Sequence, residues 1–526
     1  MITLNLPKPS LSRYIVPALT FILSVISAVF YVHYLHNGLA LSYNDARSHL
    51  DIGRRVVEGL KPGLAQLGSV WLPLNHILMI PTIWNDFMWH SGLAGAIQSM
   101  ISFVATGLLI YKYLARLKVG ILGRLIGVSV FVANVNILYM QSTAMTELLL
   151  LATMTAGCYF LLLWHQDDNL INLVQAAFWI MLSTLIRYDG WFLLFIAAIL
   201  VFIQVLRKHS FKQAEGETFF FVTLGALGIV LWLLWNAAIF KDPLYFVFGP
   251  FAAHTQQEQL AQAGNLPTLH NIDYSTTIYL YALLYNSYTL PAIFALAGVA
   301  IFLFDERLDS SSRISTLSLL TPFVFNIIAL YLGFSVLFIQ GLSGETWFNV
   351  RYGIMLMPSI GIFIGYLFHR LKDFRWMIAG LLIFVIFFGL ANQDAVTVDD
   401  ARVGSSQKNV SEVAGYLASH AQDQPGYILI SVASHDAIIF SSGLPMSRFI
   451  HEGTGAYWIA ATTAPDRWAR WIVMRTYDNT DLTWKFVSKA PGFKNYHLVK
   501  HYPFADVYEL NNDLIPDLHF IPLINP

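Results

Sequence analysis

The sequence predicts an α-helical polytopic membrane protein with a small α/β domain at its C-terminal end. Its 526 residues are 56% hydrophobic and 12% charged, with a mean hydropathy of +0.57, whereas soluble domains contain about 25% charged residues. The apolar residues form continuous runs of about 20, the length with which a helix crosses a hydrocarbon core. Beyond residue 391, charged and turn-forming residues return to soluble proportions.

About eleven runs have the length and apolarity of membrane-spanning helices. They cover residues 14–35, 93–114, 121–140, 145–164, 171–186, 190–206, 218–240, 276–304, 314–338, 353–369 and 376–391. The segment 72–89 is also apolar but contains Asn75, His76 and Asp86. We predict that it lies in the membrane interface, because the basic loops then share the N-terminal, cytoplasmic side, as the positive-inside rule requires.

Residues 392–526 are predicted to form the α/β domain. Strands are expected at 427–432 and 471–474, a helix at 410–420, and a hairpin from 496–502 and 506–510. The consecutive residues Ser434, His435 and Asp436 cannot adopt the relay geometry of a catalytic triad. We therefore expect them to cap a helix after the first strand.

The charge balance and the cysteine content exclude other classes of protein. A net charge of -1 argues against a nucleic-acid partner, since phosphate backbones require a basic surface. The one cysteine, Cys158, lies in an apolar run, so no intrachain disulfide is possible. A Gly-rich strand-to-helix unit that would bind a nucleotide is not apparent.

The predicted topology collects polar residues on the extracytoplasmic face. It places there the outer loop 39–92, the hairpin 187–189, the C-terminal domain and the loop 241–275, which is either a lid or a passive surface element. Ionisable groups beside apolar helices are costly unless they face a cavity, a partner or a substrate. Asp45 is either a helix N-cap or a general base, and Glu147 either favours the positive end of its helix or lines a cavity. Arg187 either pairs with Asp189 or binds an anionic headgroup.

Five motifs occur in order along the predicted outer face. They are Tyr43-Asn44-Asp45, Thr146-Glu147, Arg187-Tyr188-Asp189-Gly190, Asp242-Pro243-Leu244, and Arg351-Tyr352 followed by Pro358. Together they resemble the GT-C superfamily of polytopic glycosyltransferases, in the branch of the protein O-mannosyltransferases and the lipid A aminoarabinose transferases. The resemblance covers residues 1–391.

The resemblance implies that a polyprenyl or dolichyl phosphate donates one sugar, with inversion, to an acceptor hydroxyl of a protein, lipid or glycan. Asp45 would be the general base. The donor phosphate would be bound by Arg351, Arg187 and His76, and the sugar or acceptor by Glu147, Tyr188, Asp189, His49 and Tyr352. Many relatives carry a second acid two positions after the first, where this chain has Arg47, so we expect no metal and no other cofactor.

Two other functions are compatible with an apolar, arginine-containing chain of this kind. A flippase or transporter for a lipid-linked saccharide usually places polar groups near the bilayer midplane and shows internal repeats, whereas here the charges collect at one surface. A polysaccharide polymerase or ligase with a diphosphate-linked donor shares the predicted layout and stays open. We expect a multi-pass protein of a bacterial or archaeal plasma membrane, surrounded by its lipids.

Overall fold

An α-helical membrane module is followed by a small mixed α/β domain in the computed structural model, which describes residues 12–249, 252–262, 264–403 and 407–519. The predicted fold class is therefore confirmed. Among the described residues, the helices of the module are α1 (Ser12–His36), α2 (Asn44–Val57), α3 (Leu74–Ile83), α4 (Asp86–His90), α5 (Leu93–Arg116), α6 (Ile121–Val132), α7 (Val135–Met140), α8 (Glu147–Asp167), α9 (Leu170–Thr184), α10 (Asp189–Lys208), α11 (Phe211–Gly225), α12 (Leu227–Phe240), α13 (Tyr245–Phe248), α14 (Ala253–Gln262), α15 (Ile272–Ser287), α16 (Thr289–Phe304), α17 (Ser310–Thr316), α18 (Thr321–Tyr331), α19 (Met357–Arg370) and α20 (Arg375–Asn392).

Within the described ranges, 7 helices are long and apolar enough to cross a membrane, and 9 are if two bent pairs are single spans. The bent pairs are α11 with α12, at 45°, and α15 with α16, at 108°. Two of the eleven predicted runs form apolar helices that are shorter than a membrane span. In the run 121–140 the Asn134 side chain accepts hydrogen bonds from the backbone N–H groups of Asn136 and Ile137 and starts a new helix, while the run 171–186 yields the 15 residues of α9.

The ambiguous segment 72–89 forms the two short helices α3 and α4. The 10 residues of α3 rise about 15 Å at 1.5 Å per residue, which is about half of a hydrocarbon core. Asn85 begins α4 by accepting a hydrogen bond from the backbone N–H of Met88. Helix α3 is therefore too short to cross the membrane. This length agrees with the prediction that the segment 72–89 lies in the membrane interface.

The C-terminal domain contains a five-stranded sheet with the strand order β2-β1-β3-β5-β4. Strands β1 (Tyr427–Ile430), β2 (Phe449–Ile450) and β3 (Ala469–Met474) are parallel, while β4 (Tyr496–His501) and β5 (Asp506–Leu510) form an antiparallel hairpin whose β5 pairs with β3. The helices are α21 (Val396–Val403), α22 (Gln407–Ala421), α23 (Val432–Ser442), α24 (Ala456–Thr463) and α25 (Leu482–Val487). The predicted strands, helix and hairpin are confirmed, whereas the two residues of β2 are too few to show a periodicity.

The prediction that Ser434, His435 and Asp436 cap a helix is wrong. The N-terminus of α23 is capped from a distant position, because the Glu452 carboxylate accepts hydrogen bonds from the backbone N–H groups of Val432 and Ala433, at 3.0 and 2.8 Å. His435 lies at a kink in α23, where its φ is -141°, and it is buried. Its Nε2 lies 2.7 Å from a carboxylate oxygen of Asp481, a contact that joins α23 to the start of α25.

Helix α2 lies between the membrane module and the C-terminal domain. On one side it packs against α3, and on the other against α23. The Tyr43 hydroxyl, just before α2, donates to the Thr397 carbonyl at 2.9 Å, and the backbone N–H of Thr397 donates to Asn136 of the membrane module at 3.0 Å. The first residues of α2 are therefore held in place by both parts of the chain.

Candidate active site

Four segments that are distant in sequence bring charged side chains together beside the start of α2. Asp45 lies in the first turn of α2, Glu147 begins α8, Arg187 lies between α9 and α10, and Arg351 lies in a 3-10 helix (Val350–Leu356) before α19. Each of these residues lies at or next to the end of a helix. These helix ends form one site.

Arg351 is the centre of this cluster. Its side chain is 7% exposed, and its Nη2 donates to Asp45 at 2.6 Å while its Nε donates to Glu147 at 3.0 Å. The guanidinium also lies over the Tyr43 ring, 4.8 Å from its centre. Glu147 is fully buried, whereas the Asp45 side chain is 42% exposed. Arg351 therefore has one exposed and one buried carboxylate partner in these two contacts.

The second arginine shares a carboxylate with the first. Arg187 Nη1 lies 3.3 Å from the same Glu147 oxygen, and its Nε lies 3.3 Å from Asp189, so the predicted pairing of Arg187 with Asp189 is observed. The Tyr352 ring contacts both guanidinium groups, with its centre 4.7 Å from that of Arg187 and 5.5 Å from that of Arg351. Of the residues singled out in the sequence, Asp45, Glu147 and Tyr352 contact Arg351 directly. Arg187 joins the cluster through Glu147 and Tyr352, and Asp189 joins it through Arg187.

The interpretation of Asp45 as a helix N-cap is wrong. Tyr43 occupies the N-cap position of α2 and makes no side-chain capping bond, while Asp45 lies in the first helical turn. Its carboxylate points to Arg351 and lines an open cleft. The cleft is lined by Tyr43, Asn44, Asp45, Phe348, Asn349, Arg351 and Asp400.

His49 and His76 form a buried pair behind Asp45. His49 lies one helical turn after Asp45, and its Nδ1 is 2.8 Å from Nε2 of His76. Burial, together with the charges of Arg351 and Arg187, lowers the pKa of His49 to about 3. Burial, together with His49 and Arg55, holds the pKa of His76 well below its usual range. Both rings are therefore neutral at physiological pH and add no positive charge to the two arginines.

The neutral histidines make the protein less stable in mild acid. Below pH 6.5 the unfolded chain binds a proton at His49 that the folded chain binds only near pH 3, so the free energy of unfolding falls as the pH drops through this range. We expect thermal unfolding in detergent to occur at a lower temperature at pH 5 than at pH 7.5. His49→Gln should reduce this difference, and His209→Gln, which changes an exposed histidine, should not; an equal pH response in all three proteins would contradict the assignment.

Tyr188 lies in a separate aromatic cluster. Its ring centre is 5.3 Å from that of Trp191 and 5.9 Å from that of Phe246, in a stacked geometry with Phe246. Phe246 belongs to α13, in the predicted outer loop 241–275, and also packs against Trp232. The side chain of Tyr188 therefore fixes this loop to the start of α10, and the structure does not bring it into the contacts around Arg351.

Asp400 is a member of the site that the sequence did not indicate. It lies on α21, beyond the membrane module, and its side chain is 2% exposed. The Tyr43 hydroxyl donates to its carboxylate at 3.1 Å, and Arg351 Nη1 lies 3.8 Å from it. A single acid in a soluble-like stretch has no local pattern that distinguishes it, and only the docking of α21 brings it to the cleft.

Arg47, two positions after Asp45, has a structural role. Its Nε donates to the Leu41 carbonyl at 2.9 Å and its Nη1 to the Ser441 hydroxyl at 3.2 Å. These bonds tie the start of α2 to α23. In the part of the chain that the structure describes, no group of three or more His, Cys, Asp or Glu side chains could hold a metal ion.

Gly353 sets the position of Arg351 two residues earlier. A Cβ at Gly353 would lie 2.2 Å from the Ala282 carbonyl oxygen and 2.7 Å from the Asn286 amide nitrogen. We therefore expect Gly353→Ala to displace the 3-10 helix from α15 and to lower the free energy of unfolding by about 1–3 kcal/mol. Gly380→Ala is the matched control, since nothing lies within 4 Å of its added Cβ. Equal thermal midpoints for the two variants would contradict this close packing.

Comparison with known proteins identifies the fold. No family model matches the sequence, and no curated protein matches it. The solved structures that are similar to the chain include two of ArnT from Cupriavidus metallidurans. The one bound to undecaprenyl phosphate has a TM-score of 0.54 and 10% identity, and the apo structure has a TM-score of 0.53 and 11% identity. Each alignment covers 93% of this chain and 98% of ArnT. The chain therefore has the fold of these ArnT structures.

Proposed function

We propose that the protein is a membrane glycosyltransferase that moves a sugar from a polyprenyl- or dolichyl-phosphate donor to an acceptor hydroxyl, with inversion at the anomeric carbon. The observation that supports this most is the contact of buried Arg351 with the exposed carboxylate of Asp45 at the cleft. A guanidinium is the side chain best suited to phosphate, and a partly exposed carboxylate can accept a proton from a hydroxyl. The ArnT structure with the same fold contains undecaprenyl phosphate.

The two groups have complementary roles in one displacement. Asp45 accepts the proton of the acceptor hydroxyl as that oxygen forms a bond to the anomeric carbon. The bond between this carbon and the phosphate oxygen of the donor breaks on the opposite side, and the lipid phosphate leaves with the electron pair. Arg351 stabilises the charge that develops on the phosphate, and its fixed position means that little reorganisation is needed during the reaction.

Donor binding has to change the partner of Arg351. A carboxylate that is paired with a guanidinium is a poor base, because the opposite charge favours its ionised form. Glu147 is fully buried, and the exposed Asp45 is the partner that a phosphate arriving through the cleft can replace. The exchange of carboxylate for phosphate frees Asp45 for the acceptor, so the donor binds before the acceptor.

The charge balance of the site favours a monophosphate donor over a diphosphate one. Two arginines, Arg187 and Arg351, contact a set of four carboxylates: Asp45, Glu147, Asp189 and Asp400. The cluster therefore has no surplus of positive charge. A diphosphate, which carries more negative charge, would be repelled more strongly by the buried acids.

The proposal includes an orientation in the membrane. The N-terminus lies in the cytoplasm, and the cleft, the loop 241–275 and the C-terminal domain lie on the extracytoplasmic side of a bacterial or archaeal plasma membrane. This orientation follows from the distribution of Lys and Arg in short loops. The acceptor is a hydroxyl of a protein, lipid or glycan that reaches this face.

The test uses the purified full chain in lipid nanodiscs and vesicles. We expect label to pass from an undecaprenyl-phosphate-linked sugar to acceptors in a membrane extract, and not from the corresponding diphosphate-linked sugar. Transfer from the diphosphate donor alone would support a polymerase or ligase. Movement of the intact labelled lipid across a vesicle bilayer, without transfer, would support a flippase. Either result would overturn the proposal.

A further inference from the structure

Asp400 is held in the cleft by two contacts. The Tyr43 hydroxyl, which it shares with the Thr397 carbonyl, donates to its carboxylate at 3.1 Å, and Arg351 Nη1 lies 3.8 Å away. The side chain is 2% exposed. A carboxylate buried to this extent is costly unless it is paired and hydrogen-bonded, so its place beside Arg351 needs a physical reason.

The reason lies in how the guanidinium of Arg351 is surrounded. Each of its three nitrogens faces a different carboxylate, with Nη2 toward Asp45, Nε toward Glu147 and Nη1 toward Asp400. Glu147 and Asp400 are buried, at 0% and 2% exposure, while Asp45 is 42% exposed. Two carboxylates thus fix the plane of the guanidinium from inside the protein, and the third faces the cleft.

We propose that Asp400 is a positioning residue of the transfer site, an inference that rests on the proposed function. With Glu147 it holds Arg351 so that Nη2 points into the cleft, where phosphate replaces Asp45. It also fixes the Tyr43 ring, which lies against the guanidinium at 4.8 Å. A fixed donor group stabilises a developing charge better than a mobile one.

This role makes the segment after the last membrane span part of the site. Asp400 lies on α21, which is attached to the membrane module through the bond of Thr397 to Asn136. The same helix accepts the Tyr43 hydroxyl at the Thr397 carbonyl. The site is therefore incomplete until the chain beyond α20 has docked on the membrane module.

The test separates positioning from a merely structural contribution by measuring donor binding and transfer in one set of variants. Asp400→Asn keeps the shape and the acceptor oxygen for Tyr43 but removes the charge. We expect it to bind undecaprenyl phosphate about three- to tenfold more tightly, because a nearby negative charge is gone. We expect transfer at saturating donor to be slower by about tenfold or more, because Arg351 is held by one buried carboxylate instead of two.

Two further variants complete the set. Asp399→Asn removes the same charge from the exposed neighbouring position on α21 and should leave both quantities within about twofold of the wild type, as expected for a screened surface charge. Asp400→Glu retains the charge and should recover much of the transfer rate. All measurements use the purified full chain in nanodiscs, with the folded fraction of each variant determined by thermal unfolding.

The measured binding and transfer show whether Asp400 positions Arg351. Binding and transfer both within about twofold of the wild type in Asp400→Asn, the range expected for an uninvolved charge, would overturn the inference. Weaker binding together with a smaller folded fraction would also overturn it, since that is the behaviour of a structural anchor. If the wild-type protein itself binds no undecaprenyl phosphate, the proposed function fails, and this inference fails with it.

Discussion

Asp45→Asn is expected to abolish sugar transfer while strengthening the binding of the lipid phosphate. The amide cannot accept the proton of the acceptor hydroxyl, and the loss of a general base typically slows a reaction by about 10²- to 10⁴-fold. The same substitution removes the carboxylate that contacts Arg351 Nη2 at 2.6 Å. Phosphate then no longer competes with an anion for the guanidinium, so its dissociation constant should fall.

Opposite changes in the two quantities distinguish this mechanism from general damage to the fold. Binding of undecaprenyl phosphate and transfer of labelled sugar are measured on the same nanodisc preparation. Asp273→Asn is the matched control, because Asp273 is also an acid in the first turn of a helix but is exposed. Unchanged transfer in Asp45→Asn would remove Asp45 from the role of base, and weaker lipid binding would contradict the exchange of partners at Arg351.

Arg351→Ala is expected to abolish transfer and to destabilise the fold. The substitution leaves Glu147 and Asp400 buried beside an empty space, with 0% and 2% of their side chains exposed. Removing one partner of a buried ion pair typically costs about 3–5 kcal/mol, because the remaining charge is not compensated. Thermal unfolding and transfer of label report the two losses, and Arg307→Ala, at an exposed position, should affect neither.

A double variant separates the two roles of Arg351. Adding Glu147→Gln removes one of the uncompensated charges, so part of the lost stability should return. Transfer should not return, because the group that stabilises the departing phosphate is still absent. A double variant that transfers sugar at the wild-type rate would show that Arg351 acts only by neutralising buried acids.

The sequence predicted the proximity of Asp45, Glu147 and the two arginines from their common membrane face. That reasoning worked because an apolar helix that crosses a membrane has one end on each side of it. Their roles in binding and catalysis stay predictions. A membrane topology restricts the positions of helix ends more strongly than a local motif does. The contacts of Arg351 with Asp45 and Glu147 are formed between such helix ends.

Other features depend on tertiary contacts that leave no local pattern. Asp400 joins the site because α21 docks against the membrane module, which no spacing in the sequence indicates. The neutral state of His49 and His76 results from burial, whereas the resemblance implied that His76 binds the donor phosphate and His49 the sugar or acceptor. Tyr188 packs against aromatic side chains of α13 and α12, although it is next to Arg187 in the sequence. Its position in the sequence therefore did not predict its contacts.

The most direct test is a structure of the full chain with undecaprenyl phosphate bound in nanodiscs. We predict that a phosphate oxygen lies within hydrogen-bonding distance of Arg351 Nη2 and that Asp45 has left this nitrogen and faces the cleft. Glu147 and Asp400 should retain their contacts with the guanidinium. A phosphate bound elsewhere, with the contact between Asp45 and Arg351 intact at 2.6 Å, would contradict the account.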